Sequence, residues 1–124
     1  MSERFTPLGE RFAPLGGREA AMFLRKVLSK EESVLEILGP LSGETANDFQ
    51  EHLQEMAAEP HARLTLNLAG VTTINSPSLG KILLFRKKLA EQGRVLQIRG
   101  CSEALYKTFQ MIKFDTLIPI EKTP

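Results

Sequence analysis

Apolar positions change their spacing along this chain, and each change marks an element. Met22 to Leu28 and Ser33 to Leu38 are dense in apolar residues, with the polar stretch Ser29-Lys30-Glu31-Glu32 between them. That pattern predicts two strands joined by a turn. Ala20, Phe23, Leu24, Val27 and Leu28 also fit a helical period, so a helix stays open as the alternative for the first segment. Gly39-Pro40 is expected to stop the second strand. Ala46, Phe49, Leu53 and Met56 then recur at helical spacing, with Asn47, Gln50, Glu51, Gln54 and Glu55 on the opposite side. This predicts an amphipathic helix from about Thr45 to Ala58, ended by Pro60. Leu64-Thr65-Leu66-Asn67-Leu68 alternates in the manner of a short strand. A second helix is predicted from Pro77 to about Gln92, closed by Gly93. Val95 to Arg99 reads as a strand with Leu96 and Ile98 on one face. Ser102 is a natural N-cap for a third helix, whose buried face would be Leu105, Phe109 and Ile112. Leu117 to Ile120 is the last predicted strand.

The resulting order is β-β-α-β-α-β-α-β. Strands alternating with helices imply right-handed crossovers and a largely parallel sheet. The initial hairpin adds an antiparallel pair, so the expected fold is a small α/β sandwich with a mixed sheet and helices covering it. Residues 20–124 form the expected domain, and residues 1–19 an N-terminal tail. That tail repeats itself: Glu3-Arg4-Phe5-Thr6-Pro7-Leu8-Gly9 is followed by Glu10-Arg11-Phe12-Ala13-Pro14-Leu15-Gly16. Proline and glycine in each copy exclude a continuous helix. The tail reads either as a mobile extension or as a duplicated motif that presents Phe5 and Phe12 to a partner or to the domain itself.

Composition narrows the function classes. At 124 residues the chain suits one core. Sixteen Lys and Arg against fifteen Asp and Glu give a formal charge of +1, which gives no basis for nucleic-acid binding. The single cysteine, Cys101, cannot form an internal disulfide and fits a reducing cytoplasm. Apolar runs are no longer than Ala20 to Leu24, with Ile82 to Phe85 the next, so membrane insertion is not expected. No catalytic constellation is visible. Asp48, Glu51 and Glu55 read as a solvated face, and His52 and His61 lack the spacing of metal ligands. Cys101 precedes a helix start, which can activate a thiol, yet no histidine pairs with it in sequence and packing is the favoured role. Neither a cofactor nor an enzymatic activity is expected.

The candidate chemistry lies in Gly70-Val71-Thr72-Thr73-Ile74-Asn75-Ser76-Pro77-Ser78-Leu79-Gly80. Ser76 is expected as the N-cap, with Pro77 at the first helical position. A hydroxyl there would lie beside unpaired backbone N–H groups at the positive end of a helix dipole, a place that accepts a phosphate. Ser78 and Thr73 are weaker acceptors. Along the second helix, Leu79, Ile82, Leu83, Phe85, Leu89 and Ala90 should face the sheet, while Leu84 lies opposite them among Lys81, Lys87 and Lys88. Arg86-Lys87-Lys88 reads as a solvated helix end that complements the dipole, with steering of a partner as the alternative.

These residues carry a family resemblance. The element order, Leu64 to Leu68, the loop Ile74 to Gly80, Gln97-Ile98-Arg99 and the closing stretch Phe109 to Ile120 resemble a STAS domain, the family of sulfate transporters and anti-sigma-factor antagonists. The resemblance covers roughly residues 20–120. In single-domain antagonists the loop typically reads Asp-Ser-Ser-Gly-Leu-Gly, and its first serine is phosphorylated by a GHKL-type serine kinase that is also the anti-sigma factor. Ser76 matches that serine. Asn75 stands at the aspartate, Pro77 at the second serine, and Ser78 at the glycine; Leu79-Gly80 match directly. The resemblance implies a regulator that binds such a kinase when unphosphorylated, with a serine phosphatase as a further partner. The expected partner-binding residues are Asn75, Ser76, Pro77, Ser78, Lys81, Leu84 and Lys88. The alternative it implies is a non-phosphorylated scaffold, sensor or transporter-associated subunit.

Overall fold

A computed structural model of the chain describes residues 21–122. The duplicated motif within residues 3–16 lies outside the described residues. The elements are β1 (Met22–Val27), β2 (Glu32–Leu41), α1 (Glu44–Ala57), β3 (Arg63–Ile74), α2 (Ser76–Glu91), β4 (Val95–Cys101), α3 (Glu103–Met111), a 3-10 turn (Phe114–Thr116) and β5 (Ile120–Lys122). The sheet runs β1-β2-β3-β4-β5. β1 pairs antiparallel with β2, from Met22 opposite Leu38 to Val27 opposite Ser33, which excludes the helical alternative for this segment. Every later pair is parallel.

Three crossovers all step in the same direction along the sheet, so the right-handed rule for such connections puts the described helices on one face, and they share one core. The strand side chains follow that division. Leu35 and Ile37 of β2, Leu64, Leu66 and Leu68 of β3, and Leu96 and Ile98 of β4 are buried. They form one core with Phe49, Leu53 and Met56 of α1, Ile82, Phe85 and Leu89 of α2, and Leu105 and Phe109 of α3. Each such side chain taken from water stabilises the fold by about 1.5–3 kcal/mol before entropy is counted. The alternate positions build a polar network on the other face. Glu32 faces Arg63 and Arg99, each at 3.6 Å. The Thr65 hydroxyl donates to Glu32 at 3.3 Å, and Gln97 Nε2 donates to Thr65 at 3.0 Å.

The two central strands run further than their sequence suggests. Gly39-Pro40 does not stop β2, which continues to Leu41 opposite Ile74 of β3. β1 pairs no further than Leu38, so Gly39 to Leu41 has a strand partner on one side only, where proline's missing N–H is tolerated. Register shifts between Glu36 and Leu38 and between Gly39 and Leu41 absorb the irregular backbone. The same extension carries β3 from the predicted Leu68 to Ile74. Gly70 lets the strands approach closely there: a Cβ at that position would meet the end of the Leu38 side chain at 2.2 Å and the Leu38 Cα at 3.2 Å, so Leu38 would have to shift.

The C-terminus differs from expectation as well. α3 ends at Met111, so Ile112 falls outside the helical face and is 43% exposed. Lys113 turns the chain with φ 65°, and Phe114 stacks on Phe109 with ring centroids 5.6 Å apart, filling the expected place of Ile112. The last strand therefore starts later, at Ile120 instead of Leu117.

At the end of the sheet where β3 and β4 begin, Arg94 gathers several carbonyls. It donates to the carbonyls of His61 at 2.8 Å, Ala57 at 2.8 Å, Met56 at 3.3 Å and Glu59 at 2.5 Å. These include two carbonyls in the last turn of α1: that of Ala57, and that of Met56, which also accepts from Glu59 N at 3.1 Å. A cation there complements the dipole. His61, buried beside this cluster, bonds through Nδ1 to the Lys30 carbonyl at 3.0 Å. Arg94→Ala is expected to cost about 2–4 kcal/mol in urea unfolding, because several carbonyls lose a charged donor at once. Arg94→Lys should recover only part of that loss, since an ammonium cannot reproduce the planar fork.

Candidate functional site

The β3–α2 junction is built around one backbone oxygen. The Leu41 carbonyl accepts from Asn75 N at 3.0 Å and from Ser78 Oγ at 3.2 Å. Asn75 is extended, with φ −97° and ψ 170°, and its Oδ1 accepts from Ser78 N at 2.9 Å. Asn75 is therefore the N-cap in place of Ser76; Ser76 and Pro77 are the first two residues of α2. The asparagine side chain has the reach to cap the third helical N–H, and proline fits the first turn because its missing N–H has no helical partner to lose.

This geometry separates the three candidate acceptors. Ser78 is fully buried, its hydroxyl committed to Leu41, so it is a packing and capping residue and not an accessible acceptor. Thr73 is exposed but lies within β3. Ser76 is exposed at the helix start, and its hydroxyl has no hydrogen-bond partner among the described residues. The expected cradle of free N–H groups is mostly filled. Ser78 N is capped by Asn75 Oδ1, Leu79 N donates to the Asn75 carbonyl at 3.1 Å, and Pro77 has no N–H. A phosphate on Ser76 would project outward, with the helix dipole behind it.

Farther along α2, Ser78, Ile82, Phe85 and Leu89 form the buried stripe. Leu83 and Ala90, expected in that stripe, are exposed. The helix packs in the angle between α1 and β4, and only a narrow face is covered. Leu84 is 68% exposed, as its position among lysines predicts. Lys81, Leu84 and Lys88 come together with Phe85 and with Gln50, Leu53, Gln54 and Ala57 of α1 around a shallow groove of about 150 Å³. Asn75, Ser76 and Pro77 lie at the start of the same helix, Ser76 about 18 Å of helix rise from Lys88. The α1 wall is absent from the sequence-derived set. Its signal was Gln50 and Gln54 one helical turn apart, flanking Leu53.

The other candidate groups take structural roles. Cys101 is fully buried at the end of β4, and burial pushes its thiol up to about 11. Ser102 caps α3 as its sequence predicts, accepting from Leu105 N at 3.2 Å, without activating the neighbouring thiol. His52 stacks on Phe23, with ring centroids 4.6 Å apart. Among the described residues no group of three His, Cys, Asp or Glu side chains is placed to hold a metal ion. No described helix is long and apolar enough to cross a membrane.

Asn75→Ala should lower stability by about 1 kcal/mol in chemical unfolding, whereas Asn75→Asp keeps the capping oxygen and should hold it. Cys101 should resist iodoacetamide at pH 8 in the folded chain and react readily in urea. Its raised folded value means that stability is intact below the ordinary thiol range and falls as pH rises toward about 11, which unfolding at stepped pH will show.

Comparison with known proteins places this architecture. No curated protein sequence matches the chain. Among solved structures, the anti-sigma factor antagonist SpoIIAA in its unphosphorylated form aligns at a TM-score of 0.69 and 14% identity, covering 80% of this chain and 87% of that one. SpoIIAA of Bacillus in its phosphorylated form aligns at 0.65 and 14%, covering 80% and 90%. An anti-sigma factor antagonist from Mycobacterium paratuberculosis aligns at 0.75 and 17%, covering 84% and 87%. A sulfate transporter family protein from Wolinella succinogenes aligns at 0.65 and 19%, covering 79% and 82%. At these identities the likeness establishes the fold. The STAS domain profile matches residues 25–124, nearly all of the described fold, and the chain belongs to the STAS domain family.

Proposed function

We propose that this chain is a partner-switching regulator of the anti-sigma-factor-antagonist type. In this reading it binds a GHKL-type serine kinase that doubles as an anti-sigma factor, in the cytoplasm. Phosphorylation of Ser76 ends the complex, and a serine phosphatase restores it. The observation that carries the proposal is the exposed Ser76 hydroxyl, held out from the fold at the first residue of α2 by the Asn75–Ser78–Leu41 bonds. Asn75, Pro77, Lys81, Leu84 and Lys88 complete the proposed contact surface; Ser78 supports it from beneath.

The switch is local. The Ser76 oxygen attacks the γ-phosphorus of ATP, ADP leaves, and the hydroxyl proton passes to a base on the kinase. The product carries about −1.5 to −2 charges where a neutral hydroxyl stood. Because the Ser76 hydroxyl makes no hydrogen bond among the described residues, the modification breaks no side-chain bond within the described fold. A charge buried unpaired at an interface costs several kcal/mol, and each 1.4 kcal/mol is about tenfold in affinity. The fold is shared with SpoIIAA, which has been solved in both phosphorylation states. The second reading is a non-switching scaffold, sensor or transporter-associated subunit. It draws on Pro77, which stiffens the loop a kinase must accept, and on the fold shared with the Wolinella protein.

The test combines the purified chain with a GHKL-type anti-sigma kinase encoded in the same genome. Intact-mass spectra should show one added phosphate that disappears in Ser76→Ala, while Ser76→Ala still binds the kinase. Binding without phosphorylation would favour the second reading. Leu84→Asp should weaken the complex about tenfold or more with an unchanged melting temperature, because it replaces an exposed apolar anchor with a charge. Unchanged affinity would remove Leu84 from the surface.

A further inference from the structure

The cations of α2 are distributed unlike those elsewhere on the fold. Arg25, Lys26, Arg63, Arg99 and Lys122 each face a carboxylate within ion-pair distance. Lys81, Arg86, Lys87 and Lys88, all on α2, have neither a carboxylate nor a hydrogen-bond partner among the described residues. Lys30, Lys107 and Lys113 are also without one, but each stands singly along the chain. α2 carries one acidic residue, Glu91, at its last position. Two of the unpaired cations, Lys81 and Lys88, rim the groove, whose facing wall on α1 presents the neutral amides Gln50 and Gln54. Its floor and side are apolar: Leu53, Ala57, Leu84 and Phe85.

From this arrangement we infer the chemistry of the partner: a protein segment that inserts one apolar side chain between Leu53 and Leu84 and brings carboxylates to Lys81 and Lys88. The inference rests on the partner-switching reading and specifies what that partner presents. About 150 Å³ is room for a benzene-sized group, which fits one leucine or phenylalanine side chain. Unpaired cations around an apolar centre match an acidic rim, which steers encounter and fixes register. A second copy of this chain is a poor occupant. A two-fold interface sets a patch against itself, and here Lys81 and Lys88 would meet their own counterparts. The same charge pattern gives the Ser76 phosphate its direction of action, because it sets a negative group beside a partner surface that is itself negative.

The test uses a fluorescein-labelled amphipathic peptide with one leucine flanked by glutamates at helical spacing, and a counterpart with lysines for the glutamates. Fluorescence anisotropy with the full chain should show binding of the acidic peptide only, weakening steeply with added salt. Lys81→Glu/Lys88→Glu should reduce that affinity about tenfold or more, with unchanged circular dichroism and melting temperature. The same double variant should weaken the kinase complex to a similar degree. Equal binding of both peptides, no binding of either, or a groove occupied by a second copy in light scattering and relieved by Leu84→Asp would overturn the inference. A kinase complex that is released by Ser76 phosphorylation yet indifferent to the double variant would sink the acidic-partner inference and leave the switch standing. Acidic-peptide binding sensitive to the double variant, without any kinase complex, would do the reverse.

Discussion

The Leu41 carbonyl oxygen is the point on which the geometry of the site depends. It accepts from both Asn75 N and Ser78 Oγ, and so joins the last residue of β2 to the first turn of α2. The two strands must end level for this to happen, and the pairing of Leu41 with Ile74 sets that level. The knot satisfies polar groups that burial would otherwise leave costly. It also leaves Ser76 outside: every bond that fixes the turn is made by its neighbours. A residue held in place without using its own side chain is free for chemistry that does not disturb the fold.

The opposite end of the sheet is fastened by different means. Arg94 meets carbonyls from α1 and the connection into β3 with one rigid fork. Between these two fastenings lie parallel strands whose helix-facing leucines and isoleucines are buried, and whose other face is joined through Glu32, Thr65, Gln97 and the two arginines. α1 and α2 share the packed layer but do not close over one another completely. The groove between them is a consequence of that partial closure, and its lysines have no partner among the described residues. The electrostatics of α2 thus face outward, while those of the polar sheet face are largely satisfied internally.

Much of the fold was legible because its signals are local. Strict alternation at Leu64 to Leu68, the helical stripe of Phe49, Leu53 and Met56, and the caps at Gly93 and Ser102 each act within a turn or a strand. The misreadings arose where a distant partner overrode a local rule. Gly39-Pro40 is a breaker in isolation, but β3 accepts it on the one side where β2 still has a neighbour. Ile112 fits the periodicity of α3, yet Phe114 folds back onto Phe109 and takes the place. Ser76 and Asn75 are both good caps by type. The choice between them came from Leu41, far away in sequence, which anchors Asn75 N and Ser78 Oγ together.

The sequence by itself determined the order of elements, most of the core, the exposure of Leu84 and the stretch in which Ser76 lies, because hydrophobic period and turn chemistry are short-range properties. Tertiary structure decided which serine is accessible, how far β2 and β3 extend, that Gln50 and Gln54 complete the groove, and that Cys101 is fully buried with its thiol pushed up. Each of those depends on which distant group supplies a hydrogen bond or excludes water. Burial and satisfied polarity are properties of pairs of elements, and no single stretch of chain contains both members.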